Sequence, residues 1–381
     1  HRNASAALIK DGQIVAAIEE EKLVRVNHIG IAQSGGLPYA AIGYCLEAGG
    51  IGVDEIDYVT YYQKPRRLLR RQLRFSEQVK ASNGSGSEDH KAASVNEFHD
   101  RLKTLHLTRQ LLAQKAKVMA VDHQLAHAAS AFYLSGFDRA AVLVLSGRGD
   151  YVSIAIGIGE GRKIRILKRI EFPHSLGLVY SLVTEHLGFN AGGGEHNTQW
   201  LSTIGEPEFL PAFQEMIKIC PKGIPSVDMS FIRPSLQGPD AFSEKFYSRF
   251  GDHSRRAAHR FNGGTKKRSW TELVGEMTGR HHTLLPSDSY RRNVAHSLQQ
   301  HIEQVVLALA ESIRHEYKVD ALCLAGGVAL NSLMVARLER ESGYKQLFVQ
   351  PATGNSGCSI GSALFHWHHQ LDQGQPEALE H

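Results

Sequence analysis

Two repeated features predict an α/β chain built of two lobes. A β-meander leading into helices begins at the start of the chain and again near residue 140. Two glycine-rich turns, each running from a strand into a helix, follow one another in the last third. A duplicated meander with helices is what a two-lobed actin-like fold needs, with a nucleotide held in the cleft between its lobes. An unrelated α/β protein with two hairpins shares the same pattern.

Each element has its own signal. Residues 6–10 and 13–18 read as strands, joined by Asp11-Gly12, a favoured two-residue hairpin turn. Residues 37–48 read as a helix closed by Gly49-Gly50, and 56–61 as a strand. Five arginines crowd into 66–74, either a solvated helix face or a patch that steers an anionic donor. The stretch 81–94 contains Asn83-Gly84-Ser85-Gly86-Ser87 and reads as a flexible loop. A strand at 118–121 precedes a helix at 123–134. The second meander has strands at 140–145, 151–157 and 163–171. Val294, Leu298, Ile302, Val305, Leu309 and Ile313 recur at three- and four-residue spacing, which makes 293–317 a long amphipathic helix. A strand at 321–324 enters Gly326-Gly327 and a helix; another at 347–349 enters the turn holding Gly354 and Gly357, then a final helix.

Composition narrows the function classes. The 381 residues allow two or three lobes with real cores, at roughly 100–200 residues per domain. No run approaches the ~20 apolar residues of a membrane helix, and the opening His1-Arg2-Asn3 is polar, unlike a signal peptide. A cytoplasmic protein is expected. A net charge of +4 is too small to argue for nucleic acid. Cys45, Cys220, Cys323 and Cys358 form no C-x-x-C and read as reduced, buried thiols.

Three stretches could carry chemistry. Glycine turns at helix starts let a phosphate approach free backbone amides, which suits Gly326, Gly327, Gly354 and Gly357. Tight strand–helix packing selects glycine equally well. His123 and His127 lie four apart on a helix, so both imidazoles can reach one metal ion, or both can simply pack. Gly194-Glu195 sits in a glycine cluster where a carboxylate could meet a ribose, or where glycine only makes a loop.

Several segments together resemble the NodU/CmcH-type O-carbamoyltransferases. They are 3–11 (NASAALIKD), 20–28 (EEKLVRVNH), 122–132 (DHQLAHAASAF), 173–189 (PHSLGLVYSLVTEHLGF), 324–332 (LAGGVALNS) and 350–364. The resemblance implies an actin-like (ASKHA, RNase H-like) ATPase fold with lobes at 1–120 and 121–370. It implies a lobe similar to the tRNA threonylcarbamoyl transferase. That lobe binds ATP or AMP, or carbamoyl adenylate derived ultimately from carbamoyl phosphate. It passes the carbamoyl group to a hydroxyl of a small-molecule natural product. The adenylate is made by a YrdC-like domain, for which no sequence is expected after about residue 370.

The resemblance also assigns residues. Gly194, Glu195, Gly326, Gly327, Asn331, Gly354 and Gly357 would hold the nucleotide, and His1 or His28 would be the base. His123 and His127 would bind a divalent metal of iron or zinc type with two aspartates, whose positions fall on Ser146 and Asn355. Neutral oxygens are poorer partners for a hard cation, so weak, exchangeable occupancy is expected. Asp150, in the turn after the second meander's first strand, is the better substitute ligand; Asp122 should point away. The first lobe's first strand is absent, and the expected lysine after Glu195 is Asn197. The alternative to an enzyme is a nucleotide-binding scaffold that partners a separate activating protein.

Overall fold

The computed structural model describes residues 3–30, 33–64, 69–70, 104, 106–108, 116–233, 241–251 and 286–371. His1, most of the arginine run and the 81–94 loop lie outside them. Contacts divide the chain into two compact units, one of 1–177 with 309–381 and one of 178–308. This division does not fall at residue 120.

The chain opens with β1 (Ser5–Lys10) and β2 (Gln13–Glu19), paired antiparallel across Asp11-Gly12. Both turn residues have positive φ, 51° and 81°, the backbone that matches the twist of flanking strands. Helices α1 (Glu20–Val24) and α2 (Tyr39–Gly49) follow. The buried Glu20 carboxylate accepts the amides of Ala40 and Ala41 at 3.2 and 2.7 Å, serving the start of α2 where Pro38 gives no side-chain cap. Next come β3 (Tyr58–Tyr61), β4 (Lys117–Ala120), α3 (His123–Phe132) and the meander β5 (Arg139–Leu145), β6 (Val152–Glu160) and β7 (Lys163–Glu171). Helix α4 (Leu176–His186) leads into the second unit, which holds α5 (Glu195–Ser202), α6 (Leu210–Met216), β8 (Ile217–Ile219), β9 (Pro225–Val227) and α7 (Glu244–Phe250). Helix α8 (Pro286–Tyr317) leads out of it; then come β10 (Ala321–Ala325), α9 (Ser332–Glu341), β11 (Gln346–Val349) and α10 (Gly357–Phe365).

Within the first unit, a five-stranded mixed sheet has the order β11-β10-β5-β6-β7. The meander is antiparallel, while β5, β10 and β11 run parallel. Their carboxyl ends therefore share one edge, where α/β sheets commonly place ligands. β1–β2 and β3–β4 form two separate two-stranded sheets. Helices α3 and α10 pack against one another so closely that a Cβ on Gly361 would collide with the Ala126 carbonyl and the Ser130 amide. Around this crossing lie Phe132, Val142, Val144, Cys323 and Leu364, all fully buried. α10 also reaches both small sheets. Ser5 Oγ donates to the Ser356 carbonyl at 2.9 Å, and Thr60 Oγ1 lies 2.9 Å from Ser362 Oγ.

In the second unit, Phe242 stacks on Phe246 at 3.7 Å and Phe246 on Phe250 at 4.1 Å, centroid to centroid. His186 is buried against them, with Nε2 3.0 Å from Tyr290 Oη. Among the described residues, no helix is long and apolar enough to cross a membrane.

Two expected outcomes follow. Gly361→Ala should lower stability by about 1–3 kcal/mol, the usual cost of overpacking, measured by denaturant unfolding; an unchanged midpoint would show that the helices separate freely. The second concerns acid. Burial pushes the His186 pKa down to about 4 from the ordinary 6.5. Its contribution is complete above pH 6.5 and is lost as pH falls towards 4, by about 2–3 kcal/mol at pH 4.5. His186→Phe should flatten the stability–pH curve over that window by this amount, whatever it costs at pH 7.

Candidate functional site

The site is built from the start of α3. Asp122 caps the helix, its Oδ1 accepting the Gln124 amide at 3.1 Å. His123 is then the first helical residue and His127 sits one turn further on the same face. Their ring centroids are 4.9 Å apart. They are 2% and 1% exposed, unusual burial for histidine. Tyr62 meets His123 edge-on at 5.5 Å. Asp122 lies 3.6 Å from Arg169, so its carboxylate serves the cap and this ion pair.

Asp150 comes from the β5–β6 turn. Gln124 holds that turn, donating from Nε2 to the Gly149 and Val152 carbonyls at 2.8 and 3.2 Å. Gly149, Asp150 and Tyr151 all have positive φ (33°, 57° and 63°). The turn brings Asp150 Oδ1 to 3.6 Å from His123 Nδ1, with both side chains buried. From the other direction, α10 delivers Cys358. Its Sγ and one donor atom each of His123 and His127 all lie within 4.8 Å of one another. Spacing in the sequence missed Cys358, because only the α3–α10 crossing brings it to the histidines. The available signal was its position three residues after Asn355, one helical turn away.

The electrostatics suit a cation. Burial, then the neighbouring His123, pushes the His127 pKa well below its usual value, with Asn355 and Asp150 pulling weakly back. His127 is therefore neutral near pH 7, the form that ligates. Burial and the Asp150 charge push the Cys358 thiol up; a bound cation would reverse that balance. Ser146 Oγ, at the end of β5, is buried without a hydrogen-bond partner. Two imidazoles, a thiol and a carboxylate fit a borderline metal such as zinc better than a hard, oxygen-seeking one. Ser146 and Asn355 stand at the same sheet edge; the Asn355 side chain hydrogen-bonds His127, while Asp150 and Cys358 bring a carboxylate and a thiol to the imidazoles.

The glycine turns adjoin this centre. The Gly326 amide donates to the Thr353 carbonyl, and Thr353 Oγ1 donates to the Gly326 carbonyl, both at 2.8 Å, so the two turns are fastened together. Their glycines differ in kind. Gly326 has φ 92° and abuts the Leu145 carbonyl, while Gly357 abuts that of Ala352; both are required by packing. Gly327 and Gly354 have nothing within 4 Å of a would-be Cβ, which leaves their backbones open to a ligand. Asn331 Oδ1 caps α9 by accepting the Met334 amide at 3.1 Å. Gly194 and Glu195 belong to the second unit, where Glu195 Oε1 accepts Ser181 Oγ and the Gly192 amide, both at 2.6 Å. That oxygen holds its own loop. His28 is exposed, with Nδ1 3.3 Å from Asn3 Oδ1.

The profile of a family described as Carbamoyltransferase N-terminus matches residues 1–364. Protein sll1178 of Synechocystis sp., itself uncharacterized, is 32% identical over 384 residues, covering 97% of this chain and 56% of that protein. Nodulation protein NolNO of Sinorhizobium fredii is 28% identical over 388 residues, covering 98% and 47%. The chain thus spans about half the length of these relatives. HypF of T. kodakarensis is similar over 70% of this chain and 38% of its own, at 13% identity and a TM-score of 0.33, too slight a likeness to bear on the fold.

The ligand set has a spectroscopic test. Cobalt(II) bound to the chain should show a near-ultraviolet thiolate-to-metal absorption. Cys358→Ser should abolish that band, and Asp150→Asn should weaken metal retention at least tenfold. A band undiminished in Cys358→Ser would exclude the thiol from the centre.

Proposed function

The chain belongs to the carbamoyltransferase N-terminus family, and from that premise we propose that it transfers a carbamoyl group from carbamoyl adenylate to a hydroxyl of a small-molecule acceptor. The observation that carries this reading is the family match over residues 1–364, which includes His123, His127, Asp150, Cys358 and both glycine turns. The fold reading goes with it. β2-β1 with β3-β4, and β7-β6 with β10-β11, are read as corresponding parts of two RNase H-like sheets in an actin-like arrangement.

In this reading, the open backbones at Gly327 and Gly354 approach the adenylate phosphate, whose charge favours amides near a helix start. A bound divalent cation would supply Lewis-acid neutralisation of the phosphate, held by His123, His127, Cys358 and Asp150. His28 takes the proton from the acceptor hydroxyl. The acceptor oxygen forms a bond to the carbamoyl carbon as the bond from that carbon to the adenylate oxygen breaks, and AMP leaves. Holding donor and acceptor together removes much of the barrier. Carbamoyl phosphate is the ultimate donor, and a YrdC-like domain or protein makes the adenylate.

A second reading is a nucleotide-binding scaffold that works beside a separate activating protein. It is favoured by the neutral Ser146 and Asn355 at the positions where the resemblance expects aspartates.

The experiment supplies carbamoyl adenylate directly to the purified chain with a panel of hydroxylated acceptors and follows AMP. Acceptor-dependent AMP release, falling about 10²-fold or more in His28→Ala, is expected. Binding of AMP by calorimetry without turnover would favour the scaffold. No binding at millimolar AMP, weaker than about −4 kcal/mol, would remove the nucleotide from both readings.

A further inference from the structure

The three parallel strands of the five-stranded sheet end alike. β5, β10 and β11 each run at their carboxyl ends into a turn that holds a glycine, Gly147, Gly327 and Gly354 respectively. A Cβ on any of these three would meet nothing within 4 Å. The first two turns adjoin one another, since a Cβ on Gly177 would lie 2.8 Å from Gly147 Cα and 3.0 Å from Val328 Cγ2. The buried Ser175 pins the first turn, its Oγ donating to the Gly147 carbonyl.

That turn also holds a cation which the His–Cys cluster does not use. Arg148 stands between Gly147 and Asp150 and is exposed. A long charged side chain on a surface turn ordinarily samples many rotamers. This one is held in place. Its guanidinium carbon lies 4.6 Å from the centroid of the Tyr151 ring and 6.0 Å from that of Phe172. Arginine stacks well on aromatic faces because its guanidinium is planar and weakly hydrated. An Nη also donates to Tyr151 Oη. The two rings are themselves tied, the Phe172 amide donating to the Tyr151 carbonyl at 3.1 Å. β7 ends at this edge because it is antiparallel to β6, and β6 to β5.

The phenol oxygen is neutral, so its hydrogen bond aims the guanidinium without cancelling its charge. The carboxylates nearby serve other partners. Asp150 faces the buried His123 and Asp122 pairs with Arg169, each at 3.6 Å. The edge therefore presents a pre-oriented positive fork beside three open glycine backbones. A fork of N–H donors matches the oxygens of a phosphate in geometry as well as charge.

We propose that Arg148 contacts the phosphate of the carbamoyl donor, an inference that rests on the carbamoyl-transfer reading above. In carbamoyl adenylate that phosphate is esterified on both sides and bears a single negative charge. When the bond from the carbamoyl carbon to the phosphate oxygen breaks, its electron pair stays on that oxygen. The AMP phosphate then carries close to two charges at neutral pH, its second pKa lying near 6. The Arg148 contact strengthens as that charge develops, which is what lowers a barrier rather than merely tightening binding. Tyr151 is the positioning residue, since it acts through Arg148.

Calorimetry with AMP and with its phosphate methyl ester tests the assignment. The ester keeps the nucleoside and the single charge of the donor; AMP has the second charge of the product. Arg148→Met should weaken AMP binding about tenfold to a hundredfold, the range for hydrogen bonds to a charged group. It should weaken binding of the ester at least threefold less. Arg148→Gln is the second variant, with the same expected losses, should methionine not be tolerated at the turn. Equal losses for the two ligands would show that Arg148 only holds the turn, and would overturn the contact. AMP bound as tightly by both variants as by the parent chain would overturn it while leaving the nucleotide reading in place. No AMP binding by the parent chain would remove that reading and this assignment together.

Discussion

The contact on which the rest depends is the crossing of α3 and α10 at Gly361. With no side chain there, the two helix backbones come within touching distance. α3 carries the histidines, and α10 begins immediately after the second glycine turn. Separating them by the width of one methyl group would move Cys358 away from the imidazoles. It would also loosen the hydrogen bonds from Ser5 and Thr60 that hold the two small sheets to α10. Gln350 adds a further tie, donating to the Ser130 carbonyl at 3.2 Å. The His–Cys cluster and the placing of the two small sheets thus depend on one packing contact.

The β5–β6 turn bears the local conformational cost. Left-handed backbone at a non-glycine residue costs roughly 1 kcal/mol or more, and Asp150 and Tyr151 adopt it in succession. The Gln124 side chain offsets this by bonding two carbonyls of the turn. What the arrangement gains is position: a carboxylate from a surface turn arrives beside two buried imidazoles. Asp150, four residues after Ser146, thus places its carboxylate 3.6 Å from His123.

Local patterns in the chain were legible where local chemistry decides structure. The Asp11-Gly12 hairpin, the β5–β7 meander, the long helix α8 and both glycine turns stand where spacing and turn residues indicated. Asp150 lies beside His123 and Asp122 caps α3, both placements set by short-range geometry. Cys358 was not legible, because its meeting with His123 spans more than two hundred residues and depends on a helix crossing. Nor could the glycines be sorted in advance: Gly326 and Gly357 answer to neighbouring carbonyls, Gly327 and Gly354 to open space, and all four look alike in the sequence. His1 lies outside the described residues.

The burial of His123, His127 and Cys358 has a kinetic consequence. Donors with almost no contact with water cannot pass a cation to a chelator by simple dissociation; the surrounding packing must first open. Affinity and residence time are therefore separate quantities at this centre. A centre so enclosed could bind an ion weakly at equilibrium and still release it only as fast as α3 and α10 opened. Its contents would then record which ion was present when the helices closed, a memory of assembly more than a reading of the surrounding solution.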